Sequence, residues 1–307
     1  MRRRAAPLEQ VWVEVPERAV EAYEAALDAT CETTGFFFAD EPHGIWRVEA
    51  IRESGADDGP LDAALAVAAA ATGVLVPLRR EAVEAEGWLA RTEAAFPEQR
   101  IGRRFAVRGT HLDRDAPPGR VLVRLDAALA FGSGEHGSTR GCLRALELVA
   151  RGWRPHRVLD LGTGSGILAI AATKLLRVPV LGTDIEPWAV RVAGENARLN
   201  GVGPAVRVAL APGWHGRPVR AGALYDLVLA NILARPLCAM AADLAAHLAP
   251  GGRAILSGLL ASQARLVLAA HRRQGLRLER VVQEGGWTTL VVRKAGRRAE
   301  PPARPRH

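Results

Sequence analysis

The segment Val158-Leu-Asp-Leu-Gly-Thr-Gly-Ser-Gly166 constrains this chain more than any other. A short strand-type run meets three closely spaced glycines, and an apolar helical run follows from Ile167. Glycines in such a turn let the backbone bend tightly and approach a ligand. In an open α/β sheet that ligand lies at the carboxyl ends of the strands. Asp184 ends the next predicted strand, 22 positions after Gly162, near the ~20 expected of an acid that holds a ribose. The dinucleotide fingerprint is G-x-G-x-x-G. Set on Gly162 and Gly164, its third glycine would fall on Ile167. The spacing here is G-x-G-x-G behind an acid, a form suited to a nucleoside without a pyrophosphate. A turn that needs glycine for its own sake is the plainer reading, but strand, loop, helix and acid all fall in register against it.

The surrounding pattern sets the fold class. From residue 157 onward, predicted strands at 158–161, 180–183, 206–210, 227–230 and 254–257 are interleaved with helices at 167–176, 187–199, 236–248 and 262–273. Repeated βα units imply a parallel, doubly wound, Rossmann-like sheet. Two closing strands, 278–283 and 288–293, have no helix between them, so an antiparallel strand is expected at one edge. Upstream, predicted strands at 105–108 and 121–125 flank a Pro-Pro-Gly loop. The first 85 residues read differently: strand 11–15, a helix from Pro16-Glu17 to about residue 33, strands 36–38 and 46–51, helix 60–71 and strand 74–78. That β-α-β-β-α-β order predicts a small α+β, ferredoxin-like sandwich. The expected division is a first domain over 1–85, a linker helix over 86–98 that Pro97 ends, a catalytic domain over 99–294 and a disordered Pro- and Arg-rich tail over 295–307.

Composition excludes several classes. With 307 residues, 49% of them hydrophobic, the chain can build one large domain or two ordinary ones. No apolar run reaches the ~18 to 20 residues of a membrane span. Met1-Arg-Arg-Arg4 looks like the start of an export signal, but no apolar stretch follows it, so a cytoplasmic protein is expected. Cys31, Cys142 and Cys238 are too scattered for a zinc site or a disulfide framework, and no metal is expected. The net charge of +8 comes almost wholly from arginine. Because the arginines are spread along the chain, they read as base composition of the genome sooner than as a nucleic-acid surface.

Three further segments narrow the reading: Ala130-Phe-Gly-Ser-Gly-Glu-His-Gly-Ser-Thr139, Leu227-Val-Leu-Ala-Asn-Ile-Leu-Ala-Arg-Pro236 and Leu256-Ser-Gly-Leu-Leu-Ala-Ser-Gln263. With the glycine loop they resemble the ribosomal protein L11 methyltransferase (PrmA-like) family over roughly residues 86–294. The resemblance implies a class I methyltransferase fold, S-adenosyl-L-methionine as cofactor, a ribosomal protein as partner and transfer to lysine or amino-terminal amines. It implies cofactor contacts at Thr139, Gly162, Gly164, Asp184 and Asn231, and a positioning role for Asn231 in catalysis. It also implies that the amino-terminal domain recognises the substrate and that the protein is a monomer needing no membrane and no direct nucleic acid. The sequence departs from the family at Ser133, Gly137 and Ser138, and at Gly285-Gly-Trp287-Thr-Thr289, where an acidic pair before the tryptophan and a cysteine after it are usual.

Plainer readings stand beside these. His136 could be an exposed loop histidine. Asn231 could cap the helix that begins near Pro236, although the carboxyl end of its strand faces the predicted cleft. Trp88, Trp153, Trp188 and Trp214 read as packing or interface residues. An RNA methyltransferase is the alternative function, favoured by the basic charge but lacking an N-P-P-aromatic motif after strand four. A non-catalytic module that kept the fold is the third.

Overall fold

The computed structural model describes residues 8–31, 33–40, 43–83, 97–112, 116–125, 137–221 and 224–296. The chain divides into two compact units, Met1–Arg91 and Thr92–His307. Most of the predicted linker helix, Ser133, His136, Trp88 and nearly all of the tail lie outside the described residues.

In the first unit, β1 (Leu8–Pro16), α1 (Glu17–Asp28), β2 (Thr33–Asp40), β3 (Ile45–Glu53), α2 (Gly59–Thr72) and β4 (Arg79–Val83) follow one another. The sheet order is β2-β3-β1-β4, with every neighbouring pair antiparallel, the layout of a split-βαβ sandwich. Alternation builds its core. Val11, Val13 and Val15 of β1 and Trp46, Val48 and Ala50 of β3 are buried, because successive strand residues point to opposite faces. On α1 the buried residues Ala19, Val20, Tyr23, Ala26 and Leu27 recur at helical spacing and face that layer. The last strand differs from expectation. Residues 74–78 form no strand, and β4 begins at Arg79. Pro77 has no N–H to give a ladder, and Leu75 is 90% exposed, so this apolar run is not one that a sheet buries.

In the second unit, β5 (Gln99–Ile101), β6 (Phe105–Gly109) and β7 (Val121–Leu125) make a small sheet. Then come α3 (Gly137–Val149), β8 (Val158–Leu161), α4 (Ile167–Leu176), β9 (Val180–Asp184), α5 (Pro187–Leu199), β10 (Val206–Leu210), α6 (Arg217–Arg220) and β11 (Tyr225–Asn231). The chain ends with α7 (Ala234–Ala239), α8 (Ala241–His247), β12 (Leu248–Leu260), α9 (Ala264–Arg273), β13 (Leu276–Glu284) and β14 (Trp287–Lys294). The main sheet has the order β10-β9-β8-β11-β12-β14-β13. The strands from β10 to β12 pair in parallel, and β14 runs antiparallel to both of its neighbours. Thus β14 enters one place in from the edge, and the edge strand β13 is parallel to the rest. The helix expected over 236–248 is broken at Met240, and β12 starts six residues before the predicted strand.

Both faces of the main sheet are covered, which is why its strands read as nearly continuous apolar runs. Val158, Leu227, Leu229 and Ile255 join one core cluster with residues of α3, α4 and the small sheet. Leu159, Leu161, Val228, Ala230 and Leu256 join the other, with α7 and α9. Asp160 alternates onto the Val158 face, beneath α4. The strand order turns back at β8, which has β9 on one side and β11 on the other. A crevice at such a switch point is where α/β sheets bind ligands.

Candidate active site

The glycine loop is built from both ends. The amides of Gly162 and Thr163 donate to the carbonyl of Thr183 at 2.8 and 2.9 Å, and the Gly166 amide closes a turn onto the Thr163 carbonyl at 2.8 Å. Gly162 and Gly164 take φ of 70° and 51°, a region that L residues with side chains rarely occupy. They differ in what lies above them. A Cβ on Gly162 would stand 2.5 Å from Ile232 Cγ2, whereas one on Gly164 would meet nothing within 4 Å. Gly162 is therefore a packing requirement, and Gly164 leaves the backbone open to a ligand.

Asp160, buried and directly before the loop, ties it down. Its Oδ2 accepts from the Thr163 hydroxyl at 2.7 Å and from the Ala169 amide at 3.0 Å. Burial pushes its carboxyl up to about 7, opposed by these two hydrogen bonds and helped by the charge of nearby Asp184. Its Oδ1 is buried, with no hydrogen-bond partner among the described residues. Asp184, at the end of β9, is half-buried. Its two oxygens accept from the amides of Gly164 at 2.9 Å and Glu186 at 3.1 Å. These bonds orient the carboxylate and leave each oxygen a further lone pair.

A second cluster adjoins the loop. Thr139, in the first turn of α3 and 1% exposed, accepts at Oγ1 from Asn231 Nδ2 at 3.1 Å, across 92 positions of sequence. Asn231 ends β11, next to the Ile232 that packs over Gly162. Its Oδ1 is buried and has no hydrogen-bond partner among the described residues. Below it, the Ser257 hydroxyl donates to the Ser138 carbonyl at 3.0 Å and lies 2.7 Å from Thr289 Oγ1. Helix α7 is preceded by Leu233 as its N-cap residue, with no side-chain cap bond, so Asn231 does not serve as a helix cap.

The departures at Gly137 and Trp287 meet in space. A Cβ on Gly137 would lie 2.6 Å from Trp287 Cδ1 and 2.7 Å from the Glu284 carbonyl. Trp287 is buried, and Glu284 pairs with Arg140 and Arg144 of α3. The bare first residue of α3 thus accepts the tryptophan of the closing hairpin.

All five expected cofactor residues fall at the carboxyl ends of β8, β9 and β11 or on the facing turn of α3. Asp160 sat inside the motif, yet its anchoring role was not read from it. The apolar side chains around the crevice were missed. Ile185, Leu210, Trp188 and Leu233 are 66%, 53%, 44% and 44% exposed. Leu210 pairs with Asp184, and Ile185 follows it. Exposed apolar groups at a strand-end crevice suit a flat apolar ligand face. The position of Ile185 directly after the acid was the signal available. Of the tryptophans read as packing or interface residues, Trp188 is exposed, Trp214 is buried and Trp153 lies under the guanidinium of Arg253 at 4.5 Å.

The chain as a whole is similar to known proteins. The sequence model of one family, Ribosomal protein L11 methyltransferase (PrmA), matches residues 17–295. The ribosomal protein L11 methyltransferase of Sinorhizobium fredii is 42% identical over 290 residues, covering 93% of this chain and 99% of that protein. That of Bradyrhizobium diazoefficiens is 44% identical over 281 residues, covering 91% and 89%. Among solved structures, a ribosomal protein L11 methylase from Lactobacillus delbrueckii subsp. bulgaricus is 30% identical, with a TM-score of 0.56, covering 64% of this chain and 96% of that one.

Proposed function

The chain belongs to the ribosomal protein L11 methyltransferase family, and from that premise we propose that its crevice transfers methyl groups to lysine and amino-terminal amines of ribosomal protein L11. The enzyme is an S-adenosylmethionine-dependent protein methyltransferase with the class I fold. The names of its relatives do not favour the RNA alternative.

The residues present fit the cofactor. The open space over Gly164 admits a ligand against the loop, and the spare lone pairs of Asp184 can take two ribose hydroxyls. Ile185 and Leu210 offer apolar surface to a flat base. When bound, S-adenosylmethionine supplies a methyl on a sulfonium, ready for displacement by nitrogen. The protein's contribution is then mainly alignment, for which effective molarities reach about 10⁵–10⁸ M. The incoming amine must be neutral. Free lysine has a pKa near ~10.4, and an apolar, half-buried site lowers it by disfavouring the charged form.

The observation that carries this reading is the unsatisfied Oδ1 of Asn231 beside the glycine loop. Its Nδ2 is engaged by Thr139, so the side chain is held with an acceptor that no described residue satisfies and that a ligand can take up. A buried acceptor left unmade costs about 1–3 kcal/mol, and an amine N–H answers it. Asn231 thereby orients the amine lone pair towards the methyl carbon. The first unit selects the substrate, and the enzyme acts as a cytoplasmic monomer. Free thiols at Cys31, Cys142 and Cys238 support a reducing compartment. No described helix is long and apolar enough to cross a membrane.

Purified enzyme, labelled cofactor and unmethylated ribosomal protein L11 test the proposal. Label should reach the protein with the wild type, and Asn231→Ala should lose roughly 10²-fold in kcat, as misplacement of a reactant does, with a smaller change in cofactor affinity. A wild type that binds the cofactor yet labels nothing sinks the proposal. An Asn231→Ala variant with full turnover removes Asn231 from its role.

A further inference from the structure

We propose that a groove at the opposite end of the main sheet binds the phosphate backbone of RNA. The groove encloses about 770 Å³. Its walls come from three separate stretches of chain: the turn after β5 with Arg103 and Arg104, the segment after α3 with Arg151 and Arg154, and Arg177 at the end of α4. All five arginines are exposed. Spread along the sequence, they looked like composition; folding gathers them.

The local charge is only partly offset. Glu147 supplies the carboxylate among the lining residues, and both of its oxygens are engaged. Oε2 accepts from the Arg103 amide at 2.8 Å, and Oε1 takes the Arg151 guanidinium at 3.1 Å. No ion pair among the described residues engages the guanidinium of Arg103, Arg104, Arg154 or Arg177. Cations near helix carboxyl ends favour the helix dipole, which accounts for Arg151 and Arg177. Arg103, Arg104 and Arg154 lie in turns or irregular chain, where no dipole calls for them.

Arg177 closes α4 as its C-cap residue. It is the non-glycine residue with positive φ among those described, at 59°, and its amide donates to the Thr173 carbonyl at 2.9 Å. Glycine is the usual residue at such a helix end; here an arginine takes the place and lines the groove. Trp153 lines the same groove, one face covered by Arg253. Arginines around an aromatic side chain make the composition of a groove that tracks a nucleic-acid strand. Guanidinium groups take phosphates in paired hydrogen bonds, and a phosphodiester chain presents one charge per nucleotide along such a row. Trp153 and Arg154 precede β8, and Arg177 precedes β9, so the groove lies at the amino ends of the strands. RNA held there leaves the Gly162 crevice open.

Fluorescence anisotropy of a labelled short single-stranded RNA with the full chain tests this. Wild type should bind with an affinity that falls steeply with salt. Arg104→Glu/Arg154→Glu should bind at least about tenfold more weakly, with a salt slope smaller by roughly 0.7 for each phosphate no longer neutralised. Arg265→Glu/Arg272→Glu on α9 changes the net charge equally and should bind as wild type does. Arg177→Gly relieves the left-handed backbone, so it should raise the melting temperature while weakening RNA binding. Methyl transfer to free ribosomal protein should be unchanged in each. The inference fails if wild type binds no RNA, if the α9 control weakens binding equally, or if Arg177→Gly leaves affinity intact. Displacement of the RNA by polyglutamate at equal charge overturns it in favour of an acidic protein partner.

Discussion

Asp160 anchors the glycine loop through Thr163 and the start of α4 through Ala169, yet burial holds its carboxyl at about 7. The sign of its effect on stability follows. A folded value raised above the unfolded one, near 3.8, means that the native state binds the extra proton between those limits. The contribution of Asp160 is therefore full below about pH 4 and declines as pH rises towards 7. Asp160→Asn removes the titration. The variant should gain stability relative to wild type as pH climbs from about 4 to 7 and show a constant difference above that; thermal melts across this range check it, and a difference independent of pH contradicts it. At this scale the sequence was informative where backbone geometry or charge demands a residue type. Gly162, Gly164 and Asp184 stood out because few other residues can do their work. The pairing of Asn231 with Thr139 was not readable, because it joins two elements 92 positions apart and depends on how α3 crosses the end of the sheet.

Between elements, Ile232 is the joint that sets the loop against β11. Its Cγ2 fills the space where a Gly162 side chain would go, and its backbone carbonyl closes off the space where a Gly258 Cβ would go. Gly162→Ala should lose about 1–3 kcal/mol through strain and overlap. Ile232→Ala in the same chain should recover the overlap part but not the part due to the positive φ. A double-mutant cycle of unfolding free energies measures this coupling, and strict additivity would show that the two do not meet. The βα alternation was legible because each strand is buried on both faces and each helix on one. The early start of β12 was hidden because Ala249-Pro-Gly-Gly252 reads as a turn. The strand at 74–78 was misplaced because an apolar run carries no record of whether a partner covers it.

Across the whole molecule, the two units use different patterning, strict alternation in the first and near-continuous apolar strands in the second. No linear reading supplied the gathering of charge. Arg103, Arg151 and Arg177 are neighbours only because β5, α3 and α4 end at the same side of the sheet. The apolar rim at Ile185 and Leu210 likewise needs β9 beside β10 in register. At this scale one activity joins fold, crevice and substrate. Intact-mass and peptide mass spectrometry of unmethylated ribosomal protein L11, after incubation with the enzyme and S-adenosylmethionine, tests it most directly. The account predicts mass gains in whole methyl steps, mapped to lysine side chains or the amino-terminal amine and greatly reduced with Asn231→Ala. An unchanged mass, from enzyme shown to bind the cofactor, would contradict it.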